Sequence, residues 1–211
     1  MSAKTYIFFA LKKKVYTSSN QFIIKEILMS NTLVIHPKDD STIMLKEVYK
    51  GKGFDVISDY TISREDLLAA INSHDRIIML GHGTPQGLID PRVKSPNEHT
   101  NRMYLIDDTF AEALRNKETI SVWCMSDEFF RRNNISGFHT GMIISERQEA
   151  NYFLGHCPLT DKQLFDSMVN FAKIIHDCID MSPLEMKRFV LDHYVGDDDI
   201  TQFNRERIIV L

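Results

Sequence analysis

Arg76-Ile77-Ile78-Met79-Leu80-Gly81-His82-Gly83 is the stretch that decides the fold. A nearly unbroken apolar run is what a parallel strand buried on both faces looks like, and the glycines around His82 require a sharp turn where it stops. Just upstream, Ser63 and the carboxylate of Asp66 form a capping-box pattern ahead of Leu67, Leu68, Ala70 and Ile71, which predicts a helix leading into that strand. Further back, Thr32-Leu33-Val34-Ile35-His36 reads as a strand stopped by Pro37, and Asp39-Asp40-Ser41 offer N-caps. Ile43, Leu45, Val48 and Tyr49 then predict a helix ended by Gly51 and Gly53, and Phe54-Asp55-Val56-Ile57 a second strand.

Downstream, residues 84–102 are rich in Pro, Gly, Asn and Ser and read as a long loop of the kind that carries function. Met103 to Ile106 is a short extra strand, and Asp108 caps a helix through Phe110, Ala113 and Leu114. Thr119-Ile120-Ser121-Val122-Trp123 is a fourth strand ending at Cys124, and Gly141-Met142-Ile143-Ile144 a fifth. Helices follow over Glu146–Leu154, Asp161–Cys178 and Pro183–Tyr194; Ile208–Leu211 either adds an edge strand or packs on a helix. The alternation predicts an α/β fold: a three-layer, Rossmann-like sandwich with a mostly parallel sheet and right-handed crossovers. Residues 31–211 form one α/β domain in this reading, and residues 1–30 an N-terminal extension that packs on it through Phe22, Ile23 and Ile27.

With 211 residues, 43% apolar and 26% charged, the chain has the composition of one globular domain. A net charge of −4 argues against nucleic acid or an anionic membrane as partner, and Lys12-Lys13-Lys14 reads as a solvated surface run. Cys124, Cys157 and Cys178 are odd in number and widely spaced, which points to a reducing cytoplasm instead of a disulfide framework. The apolar run at residues 6–11 is followed by its lysines, the reverse of a secretory signal, and nothing approaches a membrane span.

Ligands of parallel α/β sheets bind outside the carboxyl ends of the strands. If the third and fourth strands are neighbours, His82 and Cys124 stand at one edge. An imidazole there can take the proton of a thiol nucleophile, and Gly83 can present a backbone N–H to an oxyanion. Each residue alone also fits a bland role, Cys124 in the core and His82 in a turn. A metal site drawn from His139, Glu149, His156 and Cys157 is disfavoured, because adjacent His156 and Cys157 side chains diverge. No cofactor is implied.

An apolar strand, His-Gly, about forty residues, then an apolar strand and Cys resembles the caspase-like (clan CD) cysteine peptidases. Ile77 to Gly83 and Ile120 to Cys124 carry the likeness within residues 31–145. The resemblance implies a His82/Cys124 dyad, an oxyanion hole from the N–H groups of Gly83 and Cys124, and a peptide or protein substrate. Val122-Trp123 before Cys124 and Ser126 after it depart from caspases proper. Asp127 or Glu128 would receive a basic substrate side chain, with helix capping by Asp127 as the alternative. The first half also resembles Toll/interleukin-receptor type domains, through Asp39-Asp40-Ser41 and the stretch from Ile62 to Ser73. That likeness implies a nucleotide-cleaving enzyme, with Glu112 as a loose candidate, or a non-catalytic signalling module. A phospho-receiver is excluded because the third strand ends without an Asp.

Overall fold

The computed structural model describes residues 31–94 and 103–211; the expected extension over residues 1–30, its lysine run, and the part of the long loop from 95 to 102 lie outside the described residues. Strand β1 (Thr32–Ile35) is followed by a 3-10 helix (Asp40–Val48), β2 (Asp55–Ile57), helix α1 (Arg64–Ser73) and β3 (Arg76–Leu80). After β3 come β4 (Gly83–Thr84), β5 (Gly87–Ile89), a 3-10 turn (Pro91–Lys94) and β6 (Tyr104–Ile106). A 3-10 turn (Asp108–Phe110) runs into α2 (Ala111–Leu114), then β7 (Glu118–Val122), α3 (Ser126–Arg132) and β8 (Gly137–Thr140). The last stretch holds α4 (Arg147–Leu154), α5 (Asp161–Cys178), α6 (Pro183–His193), α7 (Asp199–Arg205) and β9 (Ile208–Val210).

Six strands form one sheet in the order β2-β1-β3-β7-β8-β9, parallel except for the antiparallel edge pair β8/β9. Both faces of β3 are covered, and Ile77 to Leu80 are fully buried, as the apolar run predicts. On one face Ile78, Leu80, Ile120 and Val122 pack against the 3-10 helix, α5 and α6; on the other Ile77 and Met79 pack against α1, α2 and α3. The three-layer α/β architecture is thus as expected. Each fully buried Leu, Ile or Phe in these layers contributes roughly 1.5–3 kcal/mol.

Local signals hold at α1, where Ser63 accepts from the Asp66 N–H at 3.0 Å, and at α5 and α6, each closed by a two-way capping box. Ile208–Val210 takes the edge-strand alternative.

Four expectations are corrected. The element after β1 is a 3-10 helix whose buried stripe is Thr42, Leu45 and Val48, every third residue, which matches three residues per turn; Ile43 lies on the exposed side. Asp107, not Asp108, caps the segment at Asp108–Phe110, accepting from the Thr109 N–H at 3.0 Å. At the start of and within the expected loop over 84–102, residues 83–84 and 87–89 join β6 in a separate three-stranded antiparallel sheet. The fifth strand is Gly137–Thr140, not residues 141–144. Its backbone approaches β7 so closely that a Cβ on Gly137 would lie 2.2 Å from the Thr119 carbonyl oxygen. Residues 143–144 instead follow β8 as an irregular wall: the Ile144 N–H donates to the Asn204 side chain at 2.8 Å, and the Asn204 amide donates back to the Ile144 carbonyl at 3.0 Å.

Candidate functional site

The register of β3 on β7 sets Leu80 opposite Val122, and the Gly81 N–H donates to the Val122 carbonyl at 3.1 Å. Two residues beyond that pair in sequence, past the ends of both strands, come His82 and Cys124. Both line one narrow cleft of about 30 Å³, together with Ser41, Ile143 and Ser145. Adjoining it through Ser41, Met44 and Ser145 is a larger cavity of about 240 Å³, whose walls include Asp40, Glu146, Leu164 and Phe165. Arg147, also on that wall, pairs with Asp161 at 2.8 Å.

The turn carrying Cys124 is fixed from beneath. Met125 adopts a left-handed conformation, φ 64°, uncommon for a residue with a side chain. Ser126 follows it into α3, and its hydroxyl donates to the Thr140 carbonyl at 2.8 Å while accepting the Thr140 N–H at 3.0 Å. Ser121 donates to Ser126 at 2.9 Å and lies 2.7 Å from Nδ1 of His139, whose ring stacks on Phe130 at 4.0 Å. The Thr140 hydroxyl closes the set by donating to the Trp123 carbonyl at 2.9 Å. Burial holds the His139 ring neutral, pushing its pKa down to about 3. His139 is a buried core residue, paired in register with Ile209 of β9.

Gly83 packs flat on the other side of the turn. A Cβ there would sit 2.0 Å from Cδ1 of Trp123, so the ring requires glycine at this position. Trp123 is buried against Phe129 and Phe130.

The polar contacts of His82 and Cys124 run in different directions. Nε2 of His82 lies 2.6 Å from the Ser41 hydroxyl and 3.9 Å from an oxygen of Asp39. The Ser41 hydroxyl donates to Asp39 at 2.6 Å, and the Ser41 N–H donates to the same oxygen at 2.9 Å. The Cys124 thiol donates to the Ile143 carbonyl at 3.6 Å. Burial pushes that thiol up to about 11, and the carboxylates of Glu149 and Glu146 push in the same direction. In this state the sulfur is a neutral thiol.

Asp127 and Glu128 stand in the first turn of α3, where Asp127 pairs with Arg131 at 3.6 Å. Neither is among the residues lining the cleft, and the helix cap is Met125 with no side-chain bond, so Asp127 does not cap. Glu112 lies exposed in α2. The four residues weighed as metal ligands have separate jobs: Glu149 accepts from the N–H groups of Ser145 and Glu146, His156 pairs with Asp199, Cys157 donates to the Leu159 carbonyl, and His139 is as above. Among the described residues no three His, Cys, Asp or Glu side chains converge as a metal site, and no helix is long and apolar enough to cross a membrane. Ser41 and Asp39, read from the sequence as N-caps and as part of the Toll/interleukin-receptor likeness but not as partners of His82, are the functional candidates that local reasoning missed. The signal was topological: they follow β1, the neighbour of β3, and so share its carboxyl edge.

No family model, curated protein or solved structure matches this chain.

Proposed function

We propose that the protein is a cysteine-dependent hydrolase of peptide or related amide bonds, with a caspase-like version of the three-layer fold and a place in the reducing cytoplasm. The observation that carries this reading is that His82 and Cys124 line one cleft just past the ends of adjacent parallel strands. Because the resting thiol is neutral, the proton leaves as the bond forms. Sγ attacks the substrate carbonyl carbon, the S–H proton passes to His82, and the carbonyl electron pair becomes an oxyanion facing the N–H groups of Gly83 and Cys124. Collapse expels the amine, which takes the proton from His82. Water, deprotonated by the same ring, then hydrolyses the thioester. The adjoining 240 Å³ cavity would hold the substrate side chain, in place of the expected Asp127 and Glu128, which do not line the cleft.

The rival reading is a non-catalytic binding or signalling module on the same fold, Rossmann-like or Toll/interleukin-receptor-like. It is favoured by one observation, the thiol held protonated against Ile143.

A mixture of peptide acyloxymethyl ketones separates the two, since these probes are displaced at carbon by an attacking cysteine. We expect covalent labelling at Cys124, found by mass spectrometry, that slows at least tenfold in His82→Ala. Labelling that avoids Cys124, or is indifferent to His82, gives the module reading.

A further inference from the structure

Ser41 has one hydroxyl hydrogen, and at 2.6 Å from Asp39 that hydrogen is spent on the carboxylate. Toward His82, also at 2.6 Å, the same oxygen can then only accept, so the ring must present Nε2 as N–H. We propose that Asp39 and Ser41 are positioning residues for His82: a carboxylate–hydroxyl relay that fixes the Nε2–H tautomer, leaves the basic lone pair on Nδ1, and steadies the imidazolium when a proton arrives. The inference deepens the hydrolase reading by naming which nitrogen handles the proton, and it rests on that reading only for the chemistry.

Geometry makes the relay rigid. Asp39 is itself held as the N-cap of the 3-10 helix, where it receives the Ser41 N–H at 2.9 Å and its carbonyl accepts the Thr42 N–H at 3.2 Å. The His82 and Asp39 side chains are 23% and 17% exposed, which limits solvent screening of their 3.9 Å approach. Among the described residues that line the cavities at the ring, Asp39 is the charged group and Cys124 the second titratable one, with Thr42, Ile89 and Pro91 beside them. The hydroxyl between carboxylate and imidazole passes hydrogen-bond direction while keeping the two charges apart. A direct Asp–His bond would instead place a carboxylate against the nitrogen.

The test uses the full chain and two readouts. Nitrogen-15 NMR of the imidazoles, with His82 assigned through His82→Ala, reports tautomer and titration without any substrate. The wild type should show the Nε2–H tautomer, and Ser41→Ala a mixture. Asp39→Asn keeps the oxygen that accepts from Ser41 and removes the charge, so the His82 titration should move down by roughly half to one pH unit. Ser41→Thr should restore the tautomer. In acyloxymethyl ketone labelling, Ser41→Ala should slow Cys124 about tenfold and Ser41→Thr should recover it. An unchanged tautomer and titration in Ser41→Ala and Asp39→Asn overturns the relay even if labelling still depends on His82. The expected NMR result with no labelling of Cys124 keeps the relay and overturns the hydrolase.

Discussion

Adding one carbon at Gly83 should disturb the floor of the cleft more than its size implies. The new Cβ would lie 2.0 Å from Cδ1, 2.5 Å from Cγ and 2.7 Å from Nε1 of Trp123, so the ring face itself must move. It has nowhere easy to go, because Phe129 and Phe130 stand 5.9 and 5.5 Å away centroid to centroid and Trp123 is 2% exposed. Overpacking of a tight core costs about 1–3 kcal/mol, and a ring blocked on two sides belongs at the upper end, about 2–3 kcal/mol. For a domain of this size that is a fall of roughly 5–10 °C in Tm. Trp123 is the only tryptophan in the chain, so its emission reports the displacement directly, and we expect a red shift in Gly83→Ala. Gly51→Ala is the matched control: its φ is +74° but nothing lies within 4 Å, so only the left-handed strain of about 1 kcal/mol applies. If Gly83→Ala melts like the wild type with unchanged emission, the packing argument for Gly83 is refuted.

Stability should also fall in mild acid. His36 and His139 are buried and neutral, their pKa values lowered from 6.5 to about 4 and about 3 by desolvation. The unfolded chain binds protons on both rings below pH 6.5 while the folded chain does not, so the stabilisation is whole above 6.5 and is lost as pH falls toward 4 and 3. Urea unfolding at pH 5.5 should show about 2–3 kcal/mol less stability than at 7.5, halved in the loss by His139→Phe; equal stabilities at the two pH values would contradict it. Ser126→Ala strips the Thr140 N–H and the Ser121 hydroxyl of their buried partner. It should cost roughly 2–3 kcal/mol, against almost nothing for the exposed Ser73→Ala, as read by the same denaturation.

What could be read from the chain followed from how each residue's burial is satisfied. Strand β3 announces itself because continuous apolar side chains satisfy both faces of a central strand; β7 alternates Ile120 and Val122 with Thr119 and Ser121, whose hydroxyls donate to the Ser136 carbonyl and to Ser126, and the ends of the two strands lead to His82 and Cys124. Strand β8 was missed because its buried Gly-Phe-His-Thr sequence is made tolerable by Ser121, Ser126 and Phe130, partners on other elements that its own short sequence does not show. The 3-10 stripe was obscured by Thr42, a polar member that lies 3.4 Å from Nε2 of His36. Asp39 and Ser41 were hidden for a different reason. Helix capping explains them fully at short range, and only the sheet order brings a residue 41 positions away into contact.

The clamp of Asn204 on Ile144 and the pairing of β9 with β8 bear on when the cleft comes into being. Ile143, the carbonyl that receives the Cys124 thiol, is anchored through its neighbour to a side chain sixty residues later, and the Gly137 N–H reaches the Leu211 carbonyl at 3.2 Å. During synthesis the strands carrying His82 and Cys124 can assemble long before residues 204–211 emerge from the ribosome. Until they do, the wall beside the sulfur lacks its clamp on Asn204, so the cleft lined by His82 and Cys124 is incomplete in a nascent chain.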